Sequence, residues 1–271
     1  MTYRVRPVWR LLADDGAREP VRGLALDEAL VRCVRPRTTL RLWRLSRCVV
    51  VGRAQVVHAE VDEAACREFR VPVLRRFTGG GAVYQDPGNL DVTLVIRRDD
   101  PLLAADPTLT RIPGLYRLVT EPLTAAVRAF GLPARASERG VFVEESKVSG
   151  VAAWVGRETL LVHATLLVDA DLGLLNRVLA GPGAPGDSRW ERTMSRRMPV
   201  TSLTQALGGR APAASLVDAA VVAALVGGRR AIQPDTLEPG ELATADRLIA
   251  ERYERSEWHA TGDVAARDVA A

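Results

Sequence analysis

"RRFTGGGAVYQDPGN", residues 75–89, places two arginines, a hydroxyl and three consecutive glycines between two apolar segments. Glycine loses more backbone entropy on folding than any other residue, so a run of three needs a reason. One reading is a flexible turn or linker. The other is a loop that brings bare backbone against a ligand, with N–H groups forming an anion-binding concavity. Arg75 and Arg76 supply charge in a geometry that matches carboxylate or phosphate, and Thr78 supplies a hydroxyl.

Working outward, "VPVLRRF" feeds the glycines as a strand, "AVYQDPGN" follows as a short strand and a Pro-Gly turn, and "LDVTLVIRR" alternates into another strand. Upstream, "GLALDEALVRCVRP" carries Leu26, Ala29, Leu30, Cys33 and Val34 at helical spacing and closes at Pro36. "TLRLWRLSRCVVVGR" reads as one strand or two short ones, and "HAEVDEAACREF" as a helix. Downstream, residues 115–130 have helical spacing, with Pro122 either kinking the helix or starting it.

Three extended segments follow, "GVFVEE", "KVSGVAAWVG" and "ETLLVHATLLV", with joins short enough to require antiparallel pairing. Beyond Asp169 the pattern turns helical: "DADLGLLNRVL", "VTSLTQAL", "SLVDAAVVAALV" and "PGELATADRLIAERY". The Gly-, Pro- and Arg-rich stretch "AGPGAPGDSRWERTMSRRMP" reads as a mobile surface loop, and the residues after 255 as a flexible tail. Strands in runs and helices in runs predict an α+β domain: a mixed, largely antiparallel sheet flanked by helices.

The 271 residues are 47% hydrophobic, enough for a real core, and 37 Lys+Arg against 33 Asp+Glu leave net +4. That excess suits an anionic ligand or an acidic partner, and without an aromatic-basic stripe it gives no support for a nucleic-acid binder. Cys33, Cys48 and Cys66 have neither CxxC spacing nor an even count, which predicts a reducing compartment. The N-terminus lacks a continuous apolar stretch and no window reaches membrane-spanning length, so the expectation is a cytoplasmic chain with no membrane partner.

Two further segments draw attention. In "SKVSGVAAW", Lys147 precedes small residues that let another backbone or a ligand approach; a solvated surface lysine is the plainer alternative. His163 in "LVHATLLV" lies within an apolar strand, where a histidine usually serves packing.

Taken in order, "RRFTGGGAVYQDPGN", "KVSG" and "HATLLVDADLGLLNRVL" resemble the three motifs of the lipoate-protein ligase family, whose catalytic domain shares a fold with biotin-protein ligases. "GLALDEAL", "WRLSRCVVVGRAQ" and "PVTSLTQAL" extend the resemblance over residues 20–207. It implies one catalytic domain over residues 1–255, with a helical C-terminal part at 212–253 and a tail at 256–271.

The resemblance also implies a two-step reaction, in which ATP with Mg²⁺ adenylates the carboxylate of lipoate or octanoate and the acyl group then passes to an acceptor lysine. Lys147 matches the family's lysine on the phosphate and acyl oxygens. Arg75, Arg76, Thr78, Gly79, Gly80, Gly81 and Ala82 match the loop that closes over lipoate and adenylate. Val83 and Asn89 match positions beside the nucleotide, and Gly150, His163 and Ala164 positions near the acyl group. The implied partners are a lipoyl-acceptor domain, from a glycine-cleavage carrier or an oxo-acid dehydrogenase, and an accessory ligase subunit.

The chain departs from the pattern at several points. Arg139 and Gly140 stand where an Asn-Asp pair serves metal and phosphates, which leaves the metal ligands unassigned among Glu138, Glu144 and Glu145. Gln85 replaces a histidine, and Ala164 a glycine, adding a methyl beside the expected acyl pocket. Rival readings are an ATP-independent octanoyl or lipoyl transferase of the same fold, which would want a cysteine nucleophile, and a non-catalytic binder.

Overall fold

The computed structural model describes residues 8–13, 19–35, 37–181, 194–227 and 231–262. β1 (Val8–Ala13) leads into α1 (Pro20–Arg32), whose first N–H groups are capped by the Glu19 carboxylate and whose Pro20 needs no hydrogen bond at its position. β2 (Thr39–Trp43) and β3 (Cys48–Val51) then go to different sheets. The helix expected at "HAEVDEAACREF" is two, α2 (Val57–Glu60) and α3 (Glu63–Glu68), because the Asp62 carboxylate caps the second.

β4 (Val73–Arg75), β5 (Val83–Gln85) and β6 (Asn89–Arg97) flank the glycines. After α4 (Pro101–Ala105), α5 (Ile112–Arg128) carries Pro122 in its interior. The roughly 3 kcal/mol a mid-helix proline costs is offset by burial of Leu115, Val119, Leu123 and Val127, each worth about 1.5–3 kcal/mol.

The three extended segments become β8 (Gly140–Val143), β9 (Ser146–Val155) and β10 (Thr159–Leu167), preceded by β7 (Ala134–Ser137), and they pair antiparallel as expected. α6 (Leu172–Val178), α7 (Leu203–Ala206) and α8 (Ala214–Val226) follow. The stretch expected to be wholly helical near the C-terminus includes β11 (Ala231–Pro234), which pairs parallel with β1; neither strand was legible from local pattern. α9 (Pro239–Leu248) runs on into a π-helical turn, Ile249–Tyr253.

The expected tail from residue 256 is corrected. α10 (Ser256–Thr261) seals Trp258 completely from solvent, because its indole donates to the Arg75 carbonyl and its ring packs edge-on to Tyr253. Residues 263–271 lie outside the described residues, as does most of the expected mobile loop, 182–193.

Eight strands form one sheet in the order β11-β1-β2-β6-β10-β9-β8-β7, parallel only at the β11-β1-β2 edge, and β4-β3-β5 form a small second sheet. Leu90, Val92, Leu94 and Ile96 of β6 face the main core under α5 and α8. Side chains alternate along a strand, so Asp91 and Thr93 face the other way, with Thr165 and His163 of β10 as their cross-strand partners. Two polar rows therefore cross that face, Trp43-Asp91-Thr165-Gly150 and Arg41-Thr93-His163-Ala152. Among the described residues no helix is long and apolar enough to cross a membrane.

Candidate functional site

A cavity of about 530 Å³ opens between this polar face, the glycine loop and residues 194–200. Leu24, Trp43, Leu45 and Val50, which belong to the core cluster around α1, make one end apolar. Lys147, Arg139, Arg196 and Arg197 line it as well and give it a cationic side.

The three glycines have separate reasons. Gly80 has φ +89°, and a Cβ there would lie 2.9 Å from the Ala152 Cβ and 2.9 Å from the Arg76 guanidinium. Gly81 lies against Ser195, whose Oγ would be 2.8 Å from a Cβ. Gly79 faces open space. The loop approaches its neighbours closely at two of three positions, as the ligand-loop reading requires and a free linker would not.

The two arginines that open the loop part ways. Arg75 is fully buried and does not line the cavity: its guanidinium donates to the carbonyls of Gly52, Arg53 and Gln55 on one side and Trp258, His259 and Ala260 on the other. The ligand-binding role expected of Arg75 is thus replaced by a structural one, since its donors are spent on backbone. Arg76 does line the cavity, donating to Thr78 Oγ1 and to the carbonyls of Val50, Gly79 and Gly81, so it holds the loop's shape. Burial pushes its pKa down to about 10.

From Thr78 a polar relay runs inward. The Thr78 hydroxyl accepts from Arg76 Nε at 2.9 Å, which leaves its own proton for His163 Nε2, also at 2.9 Å. His163 Nδ1 then donates to Asp27 Oδ2 at 3.3 Å, and Arg41 donates to Asp27 Oδ1 at 2.7 Å. Burial holds His163 below its ordinary pKa despite Asp27, so the ring is neutral at pH 7. Burial also pushes Asp27 up, but the His163 bond and the Arg41 charge outweigh it and leave the carboxylate below its usual range. Asp27 was missed from sequence; an acid on the buried stripe of α1 was the available signal.

Asn89 is buried beneath the site and serves the β5-β6 turn, donating to the Tyr84 carbonyl and to Gln85 Oε1. Thr78 and Asn89 are outside the cavity lining, whereas Ala82, Val83 and Gly150 are part of it. Ala164 borders the cavity, but its side chain packs in the main core, on the sheet face opposite to His163 and Thr165. The methyl expected to intrude on an acyl pocket therefore does not.

Asp91, also missed, lines the cavity and is almost fully buried; its Oδ1 accepts from Gln85 Nε2 and Thr165 Oγ1. Burial pushes its pKa up to about 7. Its signal was parity: Asp91 and Thr93 share a register with His163.

Lys147 begins β9, pinned by its N–H to the Pro199 carbonyl and by the Thr201 N–H to its own carbonyl. Its half-buried ammonium makes no ion pair or hydrogen bond among the described residues. Burial, and then the Arg139 charge, hold it below the ordinary lysine pKa. A second anchor ties residues 194–200 to the glycine loop, for Ser195 Oγ accepts from the Ala82 and Gln55 side while the Ser195 N–H donates to Glu60. None of the three cysteines lines the cavity. Cys48 and Cys66 are buried, with thiol pKa values raised chiefly by that burial, Cys66 to about 11.

A mixed α+β domain that sets an unpaired lysine beside an apolar slot is built to hold a ligand with an anionic head and an apolar chain. The chain belongs to the lipoyl protein ligase A/B catalytic domain family, whose model matches residues 19–225. It is 32% identical over 173 residues to lipoate-protein ligase A subunit 1 of Thermoplasma acidophilum, covering 59% of this chain. The curated relatives it first matches are spanned over only 63%, 46% and 38% of their own lengths, less than two thirds in each case.

Among solved structures, the bipartite lipoate protein ligase of T. acidophilum, described with its E2 lipoyl domain, superposes with a TM-score of 0.78 at 27% identity, covering 98% of this chain and 100% of that one. A lipoate-protein ligase A bound with ATP gives 0.78 at 26% identity, covering 96% and 100%. The fold expected from the sequence is therefore the one found.

Proposed function

We propose that this chain is an ATP-dependent lipoate-protein ligase that adenylates lipoate or octanoate and passes the acyl group to a lysine of a lipoyl-acceptor domain. The observation that carries the reading is Lys147, a half-buried cation with no anionic partner among the described residues, at the edge of a cavity whose far end is apolar. An ammonium left unpaired in a desolvated place interacts strongly with any anion that arrives. Lys147 is the catalytic residue in this reading: it stabilises charge on the phosphate and carboxyl oxygens, which grows in the transition states of both half-reactions.

Leu24, Trp43, Leu45 and Val50 would take the acyl chain, with His163 kept neutral so that it adds no charge to an apolar slot. Arg76, Thr78, Gly79, Gly80, Gly81, Ala82 and Val83 form the wall that excludes water from the activated acyl group. Gly150 leaves room for the lysine, since a Cβ there would lie 3.6 Å from Nζ. Arg75, Asn89 and Ala164 support the wall from behind. ATP supplies the energy to make the carboxyl carbon electrophilic, and the cations lining the cavity fit its phosphates.

The residues present do not form a protein cage for Mg²⁺. Among the described residues no three His, Cys, Asp or Glu side chains could share a metal; Glu138 lines the cavity, whereas Glu144 and Glu145 do not. Cys33, Cys48 and Cys66 stand clear of the cavity, which disfavours a transferase with a thiol nucleophile. The relatives' descriptions as subunit 1 and as bipartite support an accessory subunit for this chain and a lipoyl domain, from a glycine-cleavage carrier or an oxo-acid dehydrogenase, as acceptor. Free thiols at all three cysteines suit the cytoplasm.

The test is to incubate the purified chain with ATP, Mg²⁺ and lipoate, alone and with an accessory subunit, and to measure lipoyl-adenylate and pyrophosphate. Adenylate that forms with wild type and drops at least about a hundredfold in Lys147→Ala is expected. Equal adenylate from both proteins, or none from wild type under either condition, would sink the reading.

A further inference from the structure

Surface arginines of this protein are commonly neutralised: Arg22 pairs with Asp246, Arg37 with Asp235, Arg97 with Asp99, Arg117 with Asp106 and Arg135 with Glu145. Arg139, Arg196 and Arg197 depart from that habit. Each lines the cavity, and none forms an ion pair among the described residues.

Their placement is built. Arg139 is the second residue of the two-residue turn between β7 and β8, its N–H donating to Ser137 Oγ. The next residue, Gly140, has φ +130°, and a Cβ on it would strike the Ser149 carbonyl at 1.8 Å and approach Lys147 Cε to 3.1 Å. The turn is thereby pressed onto the lysine side chain, and only glycine permits it. Arg196 and Arg197 lie between two anchors, Ser195 on the glycine loop and Pro199 on the Lys147 N–H. Four residues span at most about 14 Å, so both guanidinium groups start from backbone that bridges the loop to the lysine.

We propose that Arg139, with Arg196 and Arg197, forms a polyphosphate-binding subsite beside Lys147 that holds the β- and γ-phosphates of a nucleoside triphosphate and retains pyrophosphate. The subsite rests on the adenylation reading in taking the anion to be that of a nucleotide. Four cations meet a triphosphate that carries a charge of about −4 at neutral pH. Bringing like charges together without counterions raises the free energy of the empty site, and an anion relieves it. The lowered proton affinity of Lys147 beside Arg139 is a sign of that strain. Glu60 also lines the cavity but is engaged by the Ser195 N–H, so it does not neutralise the cluster. An acidic face of an acceptor domain is the less apt occupant, because these arginines line a cavity and because the acceptor must present a lysine, which they repel until phosphate is bound.

The experiment is calorimetric titration of the full chain with inorganic pyrophosphate and tripolyphosphate, using wild type, Arg139→Gln, Arg139→Lys, the double variant Arg196→Gln/Arg197→Gln, and Arg135→Gln as a control on the same hairpin. Circular dichroism checks that each variant is folded. Arg139→Gln is expected to weaken tripolyphosphate roughly tenfold or more, since charge-assisted bonds of this kind are worth about that factor. Arg139→Lys should recover part of the loss and Arg135→Gln should bind like wild type. In the adenylation assay, Arg139→Gln should raise KM for ATP and move the alkaline limb of the pH profile upward, as Lys147 regains its proton affinity.

Pyrophosphate bound equally by wild type and Arg139→Gln overturns the subsite, even where adenylate still forms and the ligase reading stands. Arginine-dependent pyrophosphate binding without any adenylate would uphold the subsite and remove the ligase reading. Variants that weaken only the docking of a lipoyl domain would overturn the subsite in favour of an acceptor surface.

Discussion

Replacing Arg75 separates two accounts of adjacent, chemically identical residues. If Arg75 held substrate, Arg75→Met would weaken ligand binding and leave stability alone. The structure instead spends its guanidinium on six backbone carbonyls, of which those of Gly52, Gln55 and Trp258 are reached by fully buried bonds. Methionine fills a similar length but donates nothing, so these three acceptors lose their partner inside the protein. Each orphaned carbonyl costs roughly 1–3 kcal/mol, and water recovers part of the remainder at the partly buried ones.

The expected loss is about 3–5 kcal/mol, a large share of the 5–15 kcal/mol typical of a domain. In a chain of this size that corresponds to a fall in Tm of roughly 10 °C. Urea unfolding followed by tryptophan fluorescence is a suitable assay, because Trp258 caps the cage and reports its opening. Arg75→Lys should restore little, since a point ammonium cannot match a fork that serves both sides. A variant within about 0.5 kcal/mol of wild type whose defect is confined to ATP or lipoate binding would refute the reasoning.

The glycine triplet yields a paired prediction: Gly80→Ala forces a side chain at φ +89° into Ala152 and Arg76 and should cost about 2–3 kcal/mol, whereas Gly79→Ala, facing open space, should cost under about 1 kcal/mol; urea midpoints of the two decide it. Asp91 carries a pH prediction. Its folded pKa, about 7, lies above the unfolded value, so its contribution to stability is complete below about pH 4 and is lost as pH rises through 7. Asp91→Asn, which stays neutral, should therefore be more stable than wild type at pH 8 by about 2–4 kcal/mol and much closer to it at pH 5. Equal pH dependence of the two proteins would reject a buried, protonatable Asp91.

Much of the fold was legible because its signals are local. The alternation in "LDVTLVIRR" and "ETLLVHATLLV" and the helical stripe of residues 115–130 each depend on residues a few positions apart. β1 and β11 were not legible, because each is only a few residues long and the pairing that makes them strands joins positions more than two hundred residues apart. Two short helices at residues 57–68 and an ordered helix at 256–261 were hidden for a related reason. A single cap divides the first pair, and the last is held by what it covers.

The sequence by itself determined which motifs are present and in what order, and hence the family, since three motifs in one order are specific where each alone is weak. Only the tertiary structure decided what each motif residue touches. Arg75 and Arg76 are neighbours in sequence, yet one meets the backbone of α10 and the other the inner side of the glycine loop. Ala164 and His163 are neighbours too, and strand alternation sends one to the core and the other to Asp27 on α1. Residue type and spacing encode period and chemistry, but a side chain's role follows from the partner that a distant segment brings to it, and that pairing exists only once the sheet has closed.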